Sequence, residues 1–173
     1  MVTTKINIDL ALKYGVPTQV NATQGDTNSR KIAISLFEHG KSWTVPANTI
    51  ASVRYRKPDD TAGLYNTLPD GSVAYEIAEN VVTVTLAPQM LTVPGRVMAD
   101  VLLSNGEKNV ATFSFIVKVE KNPLYDSNVE SEDYYNAPLL PPVTSADAGK
   151  FLRVAEDGTW CVQALTNVEE VGA

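Results

Sequence analysis

The sequence predicts an all-β protein: an antiparallel β-sandwich, followed by an extended linker arm and a small C-terminal β-hairpin. Three observations carry this. Between Arg30 and Val119 the runs KIAISLF, IASVRYRK, AYEIA, NVVTVTL, RVMADVLL and ATFSFIVKV succeed one another, many with apolar residues at every second position. Turn residues punctuate them at Pro58-Asp59-Asp60, Pro69-Asp70-Gly71, Pro94-Gly95 and Asn105-Gly106. After the last run the composition shifts to prolines and acids, and alternation returns only near Lys150. The expected boundaries are 1–121 for the sandwich, 122–144 for the arm and 145–173 for the hairpin and tail.

The first strand is expected over residues 4–12, where Ile6, Ile8, Leu10 and Leu12 alternate with Lys5, Asn7, Asp9 and Ala11. Residues 16–24 are polar and suit a second strand near an edge. The turn-rich segment Gln24–Arg30 then reads as a hairpin connection into Lys31–Phe37. Within Lys31–Phe37 one face is Ile32, Ile34 and Leu36; within Asn80–Leu86 it is Val82, Val84 and Leu86. Both patterns fit an antiparallel sheet with one wet face. Ala87–Val93 breaks the period and has room for one helical turn, stopped by Pro94-Gly95.

The register around Asn105-Gly106 decides where two phenylalanines go. A two-residue turn sets Val97, Ala99 and Val101 opposite Ser114, Thr112 and Val110. A three-residue loop, Asn105-Gly106-Glu107, puts Phe113 and Phe115 on the face of Val97, Ala99 and Val101. A one-residue slip flips every side chain, so burial selects the face that holds the phenylalanines. In the arm, Ser127 and Glu130 have capping-box spacing, which suggests a short helix through Tyr135. Beyond it, a loop at Glu156-Asp157-Gly158 aligns Leu152 and Val154 with Trp160 and Val162. A lone two-stranded hairpin is marginal in water, so this apolar face needs a partner surface.

Bulk properties narrow the function. The chain has 173 residues and a net charge of −6, with a pI near 4.8. An acidic surface repels phosphate backbones, which argues against general nucleic-acid binding. The N-terminus MVTTKINIDL alternates rather than forming the apolar core of a signal peptide. No apolar run nears the roughly 20 residues that span a bilayer, so no membrane role is expected. Cys161 is the single cysteine, which rules out an intrachain disulfide.

Catalytic chemistry has little to work with. His39, the single histidine, sits in a turn sequence, EHGKSW, with no nucleophile in an obvious relation to it. Cys161 alternates with Trp160 and Val162 as a strand residue. Asp59, Asp60 and Asp70 are turn residues first. Asp126, Asn128 and Glu130 imitate the start of a calcium loop but lack its sixth-position glycine and terminal glutamate. One cysteine and one histidine cannot make a zinc site. No enzyme, cofactor or metal site is therefore expected. Arg54 and Arg56 share one strand face beside Lys57; this is a solvated face or a docking point for an acidic partner. Tyr134, Tyr135 and Trp160 are large aromatics outside the main core, and pack on the sandwich or serve a subunit contact.

Two segments resemble known phage sequences. The stretch from KIAISLFEHGKSW through RVMADVLL, ATFSFIVKVEKNP and SEDYYN resembles the N-terminal domain of the phage baseplate upper protein family over residues 4–136. Thr144–Ala164, TSADAGKFLRVAEDGTWCVQA, resembles a short element of tail and head fibre proteins. The resemblance implies a structural protein of a tailed-phage virion, made in the host cytoplasm, that docks on the virion core and supports host attachment. In larger members a helical stalk and a C-terminal domain follow; this chain ends at Ala173 without the stalk, so an adaptor or shortened decoration is expected. The resemblance also points to a homotrimer, with Leu152, Val154, Trp160 and Val162 at the contact and other virion proteins as partners. A head fibre or capsid decoration protein is the alternative. A carbohydrate-binding module that meets host surface glycans is a second.

Overall fold

The computed structural model describes residues 2–12, 17–26, 29–106, 108–123 and 130–137, and the backbone of 150–154 and 160–164. The described strands are β1 (Val2–Asp9), β2 (Thr18–Thr23), β3 (Arg30–Glu38), β4 (Lys41–Ser42), β5 (Ile50–Arg56), β6 (Ala62–Tyr65) and β7 (Tyr75–Ala78). They continue with β8 (Val81–Thr85), β9 (Gly95–Asn105), β10 (Lys108–Glu120), β11 (Tyr134–Asn136), β12 (Lys150–Val154) and β13 (Trp160–Ala164). One 3₁₀ turn, Pro88–Leu91, falls in the segment expected to hold it, with its proline at the start where a missing N–H costs nothing. The chain forms two compact units, Met1–Pro138 and Leu139–Ala173.

The first unit has two sheets. One runs β1-β3-β8-β7, with β4 paired to β3; the other runs β11-β6-β5-β9-β10-β2. The all-β expectation holds, but the sheets are mixed rather than purely antiparallel. The ladders β1/β3, β2/β10 and β6/β11 are parallel. The hairpin expected between β2 and β3 is likewise absent. These strands lie in different sheets, and Gln24–Arg30 carries the chain from one sheet to the other. Alternation identifies a strand's face but not its neighbour, so polar β2 gave no clue to a parallel partner 97 residues on.

The core lies on the facing sides of both sheets. Ile32, Ile34, Leu36, Val82, Val84 and Leu86 are all buried, as the alternation requires. Leu12, expected to continue the face of β1, is instead 75% exposed, since β1 ends at Asp9. At the β9–β10 hairpin the phenylalanines reach the expected face by a different route. Asn105 pairs directly with Lys108, and a bulge between Asn109 and Ala111 shifts the register. Phe113 then faces Val101, Phe115 faces Ala99, and both are buried. A bulge adds one residue to one strand, which does the work expected of a longer loop.

The short turns follow their residue chemistry. His39 and Gly40 both have positive φ, 50° and 75°, as the two-residue turn between Glu38 and Lys41 demands. Asp9 holds this turn: its carboxylate accepts the N–H groups of Gly40 at 2.7 Å and His39 at 3.1 Å. Hydrogen bonds from Gly40 and Ala11 draw the Asp9 carboxyl below its ordinary range. His39 is exposed, as expected of a turn residue. Asp70 accepts both the N–H and the hydroxyl of Ser72, and so ties the Pro69-Asp70-Gly71 turn.

In the second unit β12 and β13 pair antiparallel, with Leu152 opposite Val162 and Val154 opposite Trp160. This is the register expected from the sequence.

Candidate docking face

The six-stranded sheet turns one side to the core and the other outward. Alternation along β5 buries Val53 and Tyr55 and leaves Arg54 and Arg56 exposed. On β9 it buries Val97, Ala99 and Val101 and directs Arg96, Met98 and Asp100 outward. The ladders bring these residues together: Arg54 lies opposite Asp100, and Arg56 opposite Met98. Arg54, Arg56, Met98 and Asp100 line a shallow depression. Met98 is 49% exposed among these charged side chains.

The two arginines are lightly committed. Arg54 meets Asp100 at 3.4 Å, an exposed pair of the kind worth under about 1 kcal/mol. Arg56 donates to the Asp60 carbonyl at 3.0 Å, also in an exposed setting. Their guanidinium groups can turn to a partner carboxylate at small cost.

Register extends this face toward the sheet edge. Arg54 pairs with Leu64 on β6, and Leu64 pairs with Tyr135 on β11. Tyr135 is 69% exposed. The two adjacent tyrosines of the arm therefore separate. Tyr134 packs against the core, its ring 6.0 Å from that of Tyr65. The helix expected through Tyr135 is replaced by β11, a strand parallel to β6.

What sequence reasoning missed is Lys57. Taken with Arg54 and Arg56 as part of a solvated face, it is only 2% exposed. Its Nζ donates to Gln89 Oε1 at 2.9 Å, Thr92 Oγ1 at 3.3 Å, Ser131 Oγ at 2.8 Å and the Glu132 carbonyl at 3.2 Å. Burial pushes the ammonium's pKa below its ordinary value, against the pull of Asp59, Asp133 and Glu132 nearby. The available signal was the alternation itself: with Arg54 and Arg56 outward, Lys57 falls on the inward face of Val53 and Tyr55, although its charge argues for solvent.

Among the described residues there is no cluster of His, Cys, Asp and Glu able to hold a metal. Asp126 and Asn128 of the calcium-like run lie outside the described residues. Leu152, Val154, Trp160 and Val162 lie in the second unit. No helix among the described residues is long and apolar enough to cross a membrane.

Comparison with known proteins bears on the whole first unit. The family described as BppU N-terminal domain, that of the baseplate upper protein, matches residues 2–137. Among solved structures, the N-terminal domain of phage TP901-1 ORF48 superposes with a TM-score of 0.50 at 15% sequence identity. That match covers 70% of this chain and 100% of the other. At such identity the likeness concerns the fold alone. No curated protein matches the chain.

Proposed function

We propose, from the premise that this chain belongs to the BppU N-terminal domain family and is a structural component of a phage baseplate, that it is a docking scaffold. Its outward sheet face binds an acidic surface of another virion protein, and the attached assembly supports host attachment. The observation that carries the reading is the grouping of Arg54, Arg56 and half-exposed Met98 on one face of a chain whose net charge is −6. Arginine and methionine are enriched at protein interfaces, and a basic patch on an acidic protein favours one orientation toward an acidic partner. Family membership supports a baseplate position over a head-fibre one.

The C-terminal hairpin supplies the second element of this reading, a contact between copies in a homotrimer. Leu152, Val154, Trp160 and Val162 fall at paired positions of an isolated two-stranded ladder, which needs an external surface for stability.

Charge reversal tests the docking face. Phage carrying Arg54→Glu with Arg56→Glu should assemble particles depleted of this protein, counted by quantitative mass spectrometry. The purified variant should keep the wild-type circular dichroism. Wild-type copy number in such particles would remove the basis of the reading.

A further inference from the structure

Residues 130–137 lie across the edge of the six-stranded sheet and are held there mostly by polar contacts. Gln89 Nε2 donates to the Glu130 carbonyl at 3.0 Å. Ser131 meets Lys57, Thr61 and the Asp59 carboxylate. The Ala62 N–H donates to Asp133 Oδ1 at 2.7 Å, and those of Asn66 and Thr67 donate to the Asn136 carbonyl at 3.0 and 3.3 Å. The strand itself is three residues long, and Tyr134 is the large side chain that it lends to the core.

Lys57 stands at the centre of this seam, and its partners divide evenly. Gln89 and Thr92 belong to the sandwich; Ser131 and the Glu132 carbonyl belong to the crossing segment. None of the four acceptors is a carboxylate oxygen. A buried ammonium must have its three N–H donors satisfied, and the sandwich offers two acceptors, so the closed arrangement depends on the segment's oxygens, Ser131 Oγ at 2.8 Å and the Glu132 carbonyl at 3.2 Å, to take the third. If the segment lifts, water takes their place, and Lys57 keeps its two partners in the sandwich. A methionine of similar length would fill the same volume with no such dependence.

The connection leaves room for this movement. From β10 to β11 the chain passes three intervening strands, four spacings of about 4.8 Å or roughly 19 Å in all. The connector 121–133 can reach roughly 40 Å when extended.

We propose that residues 130–137 form a detachable strap and that Lys57 is its fastener. Opening the strap uncovers the β6 edge and the Tyr65 ring while the rest of the sandwich stays folded. Tyr135, at the margin of the docking face, rides on this strap, but the proposal does not rest on the docking reading.

Hydrogen exchange read by mass spectrometry on the full chain tests it, with Lys57→Met, Ser131→Ala and the surface control Lys118→Met. In Lys57→Met the amides of 134–136 and of Ala62, Asn66 and Thr67 should exchange about tenfold faster, the loss expected for charge-assisted hydrogen bonds. Those of β3 and β9 should stay protected, and Lys118→Met should match the wild type throughout. Unchanged exchange in the strap of Lys57→Met overturns the proposal. If Lys57→Met loosens the whole sandwich, Ser131→Ala decides: faster exchange confined to the strap upholds the proposal, and wild-type exchange there overturns it.

Discussion

The Tyr55 ring lies so close over Gly63 that a β-carbon at position 63 would stand 2.4 Å from its carbons. The absent side chain at Gly63 is thus the floor on which Tyr55 rests, and Tyr55 in turn meets Tyr65 edge-on at 6.1 Å. Gly63→Ala forces the ring or the β6 backbone to move, which should destabilise the sandwich by about 1–3 kcal/mol. Thermal or urea unfolding measures this; a wild-type midpoint would contradict the packing described.

The Tyr55 hydroxyl is buried with no hydrogen-bond partner among the described residues, and burial raises its pKa well above the ordinary tyrosine value. A buried hydroxyl without a partner is a cost, on the order of 1–3 kcal/mol by mutational scales. Tyr55→Phe keeps the ring and removes that cost. Its unfolding midpoint should equal or exceed the wild type's, and a clear drop would mean that the hydroxyl has a partner.

Glu79 sits in the β7–β8 turn at φ 54°, a left-handed conformation that a side chain disfavours. Glu79→Gly should stabilise by about 0.5–1 kcal/mol, the relief of strain outweighing the added freedom of the unfolded chain. Urea unfolding reads the difference.

Three turn carboxyls set the acid limb of stability. Gly40 and Ala11 hold Asp9 below its ordinary value of 3.8, and Ser72 does so for Asp70. At Asp59 partial desolvation pushes the other way but is outweighed by Ser131 and Thr61. Groups with lowered folded pKa stabilise fully above the unfolded value and lose that contribution as pH falls through the folded one. Stability should therefore be flat above about pH 5 and fall below about pH 4. Asp9→Asn and Asp70→Asn should each flatten the fall; an unchanged acid limb in both would contradict the assignment.

Much of the scaffold was readable from alternation alone. The inward faces of β3 and β8, the 3₁₀ turn after Ala87, the His39-Gly40 turn and the β12–β13 register all follow from local residue order. What local order could not supply was partnership across distance. Parallel pairing of β1 with β3 leaves no mark in either strand. The segment 130–137 looks like linker because the residues that hold it, Lys57, Asp59 and Gln89, lie at least 41 positions away. The outward placement of Arg54 and Arg56 was legible; that Met98, Leu64 and Tyr135 join them needed the ladder registers.

Association through the C-terminal hairpin is expected to depend on Trp160. Trp160→Ala should weaken self-association by a few kcal/mol if the residue anchors the contact, roughly a hundredfold in concentration. Light scattering across a dilution series compares the two; equal assembly of mutant and wild type would exclude the hairpin as the contact.

The most direct measurement of the central claim is a cryo-EM reconstruction of the baseplate that carries this protein. The outward face of β5 and β9 is expected against an acidic surface of another virion protein, with Arg54 and Arg56 at carboxylates and Met98 covered. A baseplate in which Arg54, Arg56 and Met98 face solvent would contradict it.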